Sequence, residues 1–309
     1  MQRKNPHYCT MSILTFIFLT FGACTTKVDS STKKEANIDA LEKEYQKNPN
    51  DSLFQELMLT IGSSIINSEK TIQKTELIER AIRISEQAEK ESYRQIFITE
   101  YLKANPNGPK RADYLYETAE YQLYSERKEV ASILYSAFIS KYPEDKRVEE
   151  AKKHIIPQQK DMPYFMRKSA ESVLIQPDST GINQKAAIAY IDHCEAHALG
   201  FPNDNNSPIY LFTGAEFARS MRQFPKMMNL YDWIIQYYPT FDKSALVLFL
   251  KGFTLENEFV RTEDARKAYT KFLEKYPKDS LADDVRMLLN HLGKSPDEII
   301  EKSAKPTLQ

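Results

Sequence analysis

Two histidines, His193 and His197, stand four residues apart with Cys194, Glu195 and Ala196 between them. On a helix that spacing puts both imidazoles on one face, where they could hold a metal ion. A hydrolytic zinc site of the HExxH kind needs its glutamate directly after the first histidine, beside the metal-bound water. Here Cys194 occupies that place, Glu195 projects elsewhere, and no third ligand follows at a metal-binding spacing. The expectation is two histidines flanking a packed cysteine, with no metal and no cofactor. Glu91, followed by Ser92, is the other residue from which chemistry could start, because a positioned glutamate can serve as a general acid. No GxSxG, no P-loop and no glycine-rich dinucleotide turn accompanies either candidate, so catalysis is not expected.

The elements that must position these residues are written in repeats. Tyr135 to Pro143 reads YSAFISKYP, Tyr231 to Pro239 reads YDWIIQYYP, and Tyr269 to Pro277 reads YTKFLEKYP. Large apolar residues stand at the first, fourth, fifth and eighth places of each copy, the stripe of a helix with one buried face. Proline then ends the helix, because it lacks an N–H donor and disfavours helical geometry at the residue before it. Weaker copies end at Asn105-Pro106 and Phe201-Pro202, so the prolines at 106 and 143, and at 202 and 239, are 37 residues apart, and those at 239 and 277 are 38 apart. Asn48-Pro49 reads as an N-terminal version. The longer intervals, 57 residues from Pro49 to Pro106 and 59 from Pro143 to Pro202, predict extra helices near residues 50–95 and 155–185.

Stepping back from Pro143 by eight, twelve and twenty-four residues reaches Tyr135, Ala131 and Ala119; from Pro239, Tyr231, Met227 and Ala215; from Pro277, Tyr269 and Ala265, with Gly252 one residue beyond. Small residues at places eight and twenty, an aromatic at twenty-four and proline at thirty-two resemble the tetratricopeptide repeat, whose helix-turn-helix units stack into a right-handed superhelix. The resemblance implies an all-α solenoid over residues 36–302, in about five or six irregular units. It places a ligand groove on the first helix of each unit, at places two, five, nine, twelve and thirteen. In the Pro143 unit these are Asp113, Tyr116, Glu120, Leu123 and Tyr124; in the Pro239 unit, Ile209, Phe212, Glu216, Arg219 and Ser220. Aromatics beside acids and an arginine suit a protein loop or an extended peptide.

Composition agrees with an all-helical chain. Glycine is scarce, at 8 of 309 residues, and the net charge of −1 with a pI near 6.6 argues against nucleic-acid binding. The N-terminus is of a different kind: Arg3 and Lys4 precede the apolar run Met11–Phe21, then Gly22, Ala23 and Cys24. A basic start, a short apolar core and small residues make an export signal over residues 1–23. The stretch FGAC resembles the lipobox of bacterial lipoproteins, which implies lipid on Cys24, membrane anchoring and cleavage that leaves a net charge of −3. Phe21 stands where that family has Leu, Val or Ile, so ordinary cleavage without lipid is the alternative. Residues 24–35 read as a polar tether and 303–309 as a disordered tail, with a capping helix expected from Pro296 and Ser295 as its N-cap.

An exported, lipidated chain of such repeats resembles the scaffold lipoproteins of the Gram-negative envelope. That resemblance implies a non-catalytic protein on the periplasmic side of the outer membrane, binding envelope proteins or peptides through its concave face. Glu91-Ser92 is also similar to the acid-bearing pair of helical lytic transglycosylases, which gives a peptidoglycan-acting enzyme as one alternative. A glycan-uptake lipoprotein is another, although Trp233 is the only tryptophan available for stacking on sugars.

Overall fold

The computed structural model describes residues 30–68, 71–175 and 181–294, and over them the chain forms helices and no strand. In order these are α1 Ser30–Lys47, α2 Asp51–Asn67, α3 Thr71–Gln87, α4 Glu91–Ala104, α5 Arg111–Tyr124, α6 Lys128–Lys141, α7 Val148–Lys152, α8 Met162–Leu174, α9 Gln184–Gly200, α10 Asn206–Ser220, α11 Phe224–Tyr237, α12 Ser244–Asn257, α13 Thr262–Lys275 and α14 Ala282–His291. Consecutive helices pack as antiparallel pairs, α3 with α4, α5 with α6, α8 with α9 and α12 with α13. The chain divides into a first compact body up to Tyr210 and a second from Leu211.

Five of the six prolines predicted to end units sit in one repeated turn. Tyr142 caps α6 by donating its N–H to Phe138 O; the N–H of Asp145 then returns to Tyr142 O at 3.1 Å, and that of Val148 to Asp145 O at 3.0 Å. The same two successive turns start at Asn105, Phe201, Tyr238 and Tyr276. In each, proline follows the cap residue, the place where its fixed φ suits a tight turn. The weak copies at Pro106 and Pro202 are therefore built like the strong ones.

The other connection, from first to second helix, is also repeated. Glu89, Glu126, Arg222 and Val260 all take positive φ, between 53° and 62°, although none is glycine. Lys90, Arg127 and Gln223 each follow this residue and donate back five residues, to Ser85, Gln122 and Ala218, the closing bond of a Schellman end. Ser125–Arg127 spans three residues, whereas Glu258–Arg261 spans four. That one added residue makes the last proline spacing 38 rather than 37.

The small residues and the tyrosines meet as the repeat pattern predicts. Tyr135, Tyr231 and Tyr269 are at most 1% exposed, and Ala119, Ala131, Ala215, Met227 and Ala265 are fully buried. A Cβ on Gly252 would lie 2.6 Å from the Tyr269 ring, so only glycine leaves room for the tyrosine there. In α14 the buried residues of α12 are exchanged for charge and amide: Ala245, Leu248 and Gly252 correspond to Asp283, Arg286 and Asn290, all exposed. An outward polar face of that kind closes a helical stack.

Three segments depart from the regular pattern. Pro49 follows α1, which Asn48 N closes by donating to Glu44 O at 3.0 Å, but in place of the double turn of the other copies Asn50 caps α2 directly, accepting from Leu53 N at 3.0 Å. The tether expected over 24–35 overlaps α1 from Ser30, because residues 30–47 contain no glycine or proline and are rich in Lys, Glu and Ala. In the 155–185 interval, the helix that begins at Val148 stops after five residues. The chain then runs back along α6: His154 stacks on Tyr135 at 5.1 Å, Ile156 N donates to Ser132 Oγ at 2.8 Å, and Gln159 Nε2 donates to Glu129 O at 3.1 Å. A 3₁₀ turn at Pro157–Gln159 and α8 follow, and α9 packs directly on α6. Gly200 makes that approach possible, since a Cβ there would lie 2.5 Å from Ala137 Cβ. The export signal, Cys24, Ser295, Pro296 and residues 303–309 lie outside the described residues.

Candidate functional site: the faces of the first helices

Places two, five and nine of the first helices form a series of outward faces whose chemistry changes while the framework behind them repeats. On α3, with Ile82 at place eight, they are Glu76, Glu79 and Arg83. With Glu42, Arg80 and Lys110 these line an open cleft of about 480 Å³. Glu42 is only 6% exposed and accepts from Arg83 Nη2 at 3.3 Å and from Arg80, which also reaches Asp39 at 2.7 Å. Lys110 pairs with Glu79 at 3.2 Å. Sequence reasoning missed this face because a bulky isoleucine stands where the other units carry Ala or Gly.

On α5 the predicted residues separate. Asp113 is exposed and pairs with Arg147 at 2.9 Å. Tyr116 is 8% exposed, packed edge-on to Tyr135 and Phe138, with the Arg147 guanidinium 5.0 Å above its ring. Only its rim faces outward. Glu120 and Tyr124 are exposed, Tyr124 by 66%. Arg147 also holds Asp145, and its hydrogen bonds bring that carboxyl down to about 2. Arg147 and Lys110 occupy equivalent loop positions, so one cation from the following loop covers place five in both units, over an aromatic ring in one and a carboxylate in the other.

In the second body the pattern recurs. Lys243 sits 4.7 Å over Phe212, and Phe241 lies 6.4 Å from it. Glu216 accepts from Tyr231 Oη at 2.7 Å and pairs with Arg219, so the two predicted charges largely satisfy each other. Burial first, and then the carboxylate, pushes the Tyr231 phenol far above its ordinary value. On α12 the face becomes apolar: Leu246, Phe249 and Phe253 hold places two, five and nine, and the following loop offers Leu281 where a cation stood before. Phe249 rests against Phe253 at 6.0 Å, and Phe253 is 44% exposed.

The paired histidines are buried and serve different neighbours. His193 Nε2 lies 3.1 Å from Glu129 Oε2 and its Nδ1 lies 3.0 Å from Ser169 Oγ, joining α9 to α6 and α8. The ionised Glu129 can only accept, so Nε2 of the ring donates to it. This bond lowers the Glu129 carboxyl below its usual range. Ser, His and Glu in sequence have the composition of a nucleophile relay. Ser169 lies within α8, however, where backbone N–H groups are committed to the helix and cannot converge on an oxyanion. His197 Nδ1 meets Ser207 Oγ at 3.1 Å; the Ser207 proton is given to Phe201 O at 2.7 Å, so His197 Nδ1 carries the hydrogen. Burial lowers the His197 pKa to about 4. Cys194 between them is wholly buried, which raises its thiol well above the usual value.

Among the described residues no group of three potential ligands converges on a metal position. Glu91 accepts from Gln95 Nε2 at 2.8 Å on an exposed stretch of α4. No family model matches the chain, and no curated protein matches it.

Proposed function

We propose that this protein is a non-catalytic scaffold of the Gram-negative envelope. Its helix pairs are tetratricopeptide-like units of a right-handed superhelix, Cys24 carries the lipid that holds it at the outer membrane, and it binds envelope proteins or peptides through the first-helix faces. The observation that carries this reading is the contrast between framework and face. Buried tyrosines, small residues, tight turns and positive-φ loops recur from unit to unit. The outward places vary from Glu76, Glu79 and Arg83 to Leu246, Phe249 and Phe253. A constant frame with a varied surface suits recognition of other macromolecules, and such faces anchor partners through aromatics and arginine.

The test has two parts. Cys24→Ala should leave the helical circular dichroism unchanged and move the protein from the membrane to the soluble fraction; retention in the membrane would sink the lipid anchor. In-cell crosslinking of the tagged protein, followed by mass spectrometry, should recover envelope assembly or division proteins. Recovery of glycan-processing proteins, or turnover of purified peptidoglycan that Glu91→Gln abolishes, would favour the two alternatives instead.

A further inference from the structure

The geometry points to α12 as the docking site for a cationic amphipathic helix carried by a protein partner. This rests on the scaffold reading and names the chemistry of one partner segment. Helix α12 has two apolar stripes where its neighbours have one. Val247, Leu248, Gly252 and Leu255 are buried within the second body. Leu246, Phe249, Leu250 and Phe253 form a second stripe at i, i+3, i+4 and i+7 that is only partly covered. That spacing, about 10 Å along the axis, is the one presented by a helix with an apolar face, and helix-in-groove recognition uses the same anchors.

Charge decides the sign of the partner. One turn beyond Phe253, Glu256 accepts from the neutral Tyr269 hydroxyl at 2.7 Å, so its negative charge stays uncompensated. Phe253 is also in the last turn of α12, where the helix C-terminus adds partial negative charge. The cation that caps place five in other units is absent here, because Leu281 holds its position. An anionic lipid surface would be repelled by this end, and a second copy would set Glu256 against its own equivalent. A helix with leucine-like anchors and flanking Lys or Arg satisfies both parts of the surface.

Fluorescence anisotropy with the full mature chain carrying Cys24→Ala tests this directly. The probes are a labelled Leu/Lys amphipathic helix, its Leu/Glu counterpart, and a shuffled Leu/Lys peptide without an apolar face. The Leu/Lys helix should bind, with the other two weaker by roughly 10-fold or more. Phe253→Asp should weaken it about 30-fold, and Glu256→Gln, which keeps an acceptor for Tyr269, by about 5-fold. Ile66→Asp, at an exposed position of α2 in the other body, should change nothing. Equal binding of the shuffled peptide, or unchanged binding by Phe253→Asp or Glu256→Gln with native circular dichroism, overturns the inference. The scaffold reading is judged separately by the crosslinking experiment, which does not depend on α12.

Discussion

Arg111 is the largest fully buried side chain among the described residues, and its replacement should undo the docking of α9. Its guanidinium donates to Leu102 O at the end of α4, at 2.7 Å, and to Leu199 O at the end of α9. Both acceptors belong to last turns, where carbonyls lack helical partners and the dipole favours a cation. Hydrogen bonds from a charged donor contribute about 1.5–3 kcal/mol each, and two carbonyls would be left buried and unmet. Relief of the buried charge's desolvation offsets part of the loss, so Arg111→Met, which keeps the apolar stem, should cost about 3 kcal/mol. Hydrogen exchange read by mass spectrometry is the suitable assay, because the loss should be local. Protection in Tyr190–Gly200 should fall by about 100-fold, while α13, in the other body, should not change. Arg111→Lys, with one compact ammonium in place of the fork, should fall between the two. Exchange in α9 within about 3-fold of wild type for Arg111→Met would refute the reasoning.

Three further outcomes follow from the same framework. Gly252→Ala should destabilise the second body by about 1–3 kcal/mol in urea unfolding, since its Cβ meets the Tyr269 ring at 2.6 Å, and a second change, Tyr269→Leu, should recover part of that loss. Val260→Gly should raise stability by about 1 kcal/mol, because a β-branched residue is held at φ 53° where Gly293 takes φ 81° without penalty; an unchanged or lower unfolding midpoint would contradict this. His197 is held neutral with a pKa near 4 against about 6.5 unfolded, so the unfolded chain binds the extra proton first. Stability should therefore fall as pH drops from about 6.5 through 4, and His197→Gln should flatten that slope in midpoints measured across this window.

How much of this was legible depended on whether a residue's role was local. Tyr135, Tyr231 and Tyr269 could be identified because burial of one helix face recurs with helical period, and they are core residues. The unit-ending prolines were legible for the same reason, and so was the extra helical material in the two long intervals. Pro49 follows the end of α1 as the other prolines follow theirs, but the form of its link to α2 was not legible, because it depends on Asn50 capping the next helix. Of the predicted groove residues, Tyr116 turned inward under Arg147, a residue thirty-one positions later that no spacing rule connects to it. His193 and His197 were visible as a pair, whereas Ser169, Glu129 and Ser207 were not, because their approach is made by three helices.

By itself the sequence determined the helical class, five of the turns that end helices at proline, and the identity of the residues that fill the gap between paired helices. Each of these follows from propensity, periodicity and proline chemistry acting within about forty residues. Only the tertiary structure decided that the helix after α6 stops at Lys152, that α9 lies against α6 through Gly200, and that Arg111 ties the end of α4 to the end of α9, 88 residues further along the chain than itself. Those are contacts between distant segments, where packing volume and unmet carbonyls, rather than any local preference, select the arrangement.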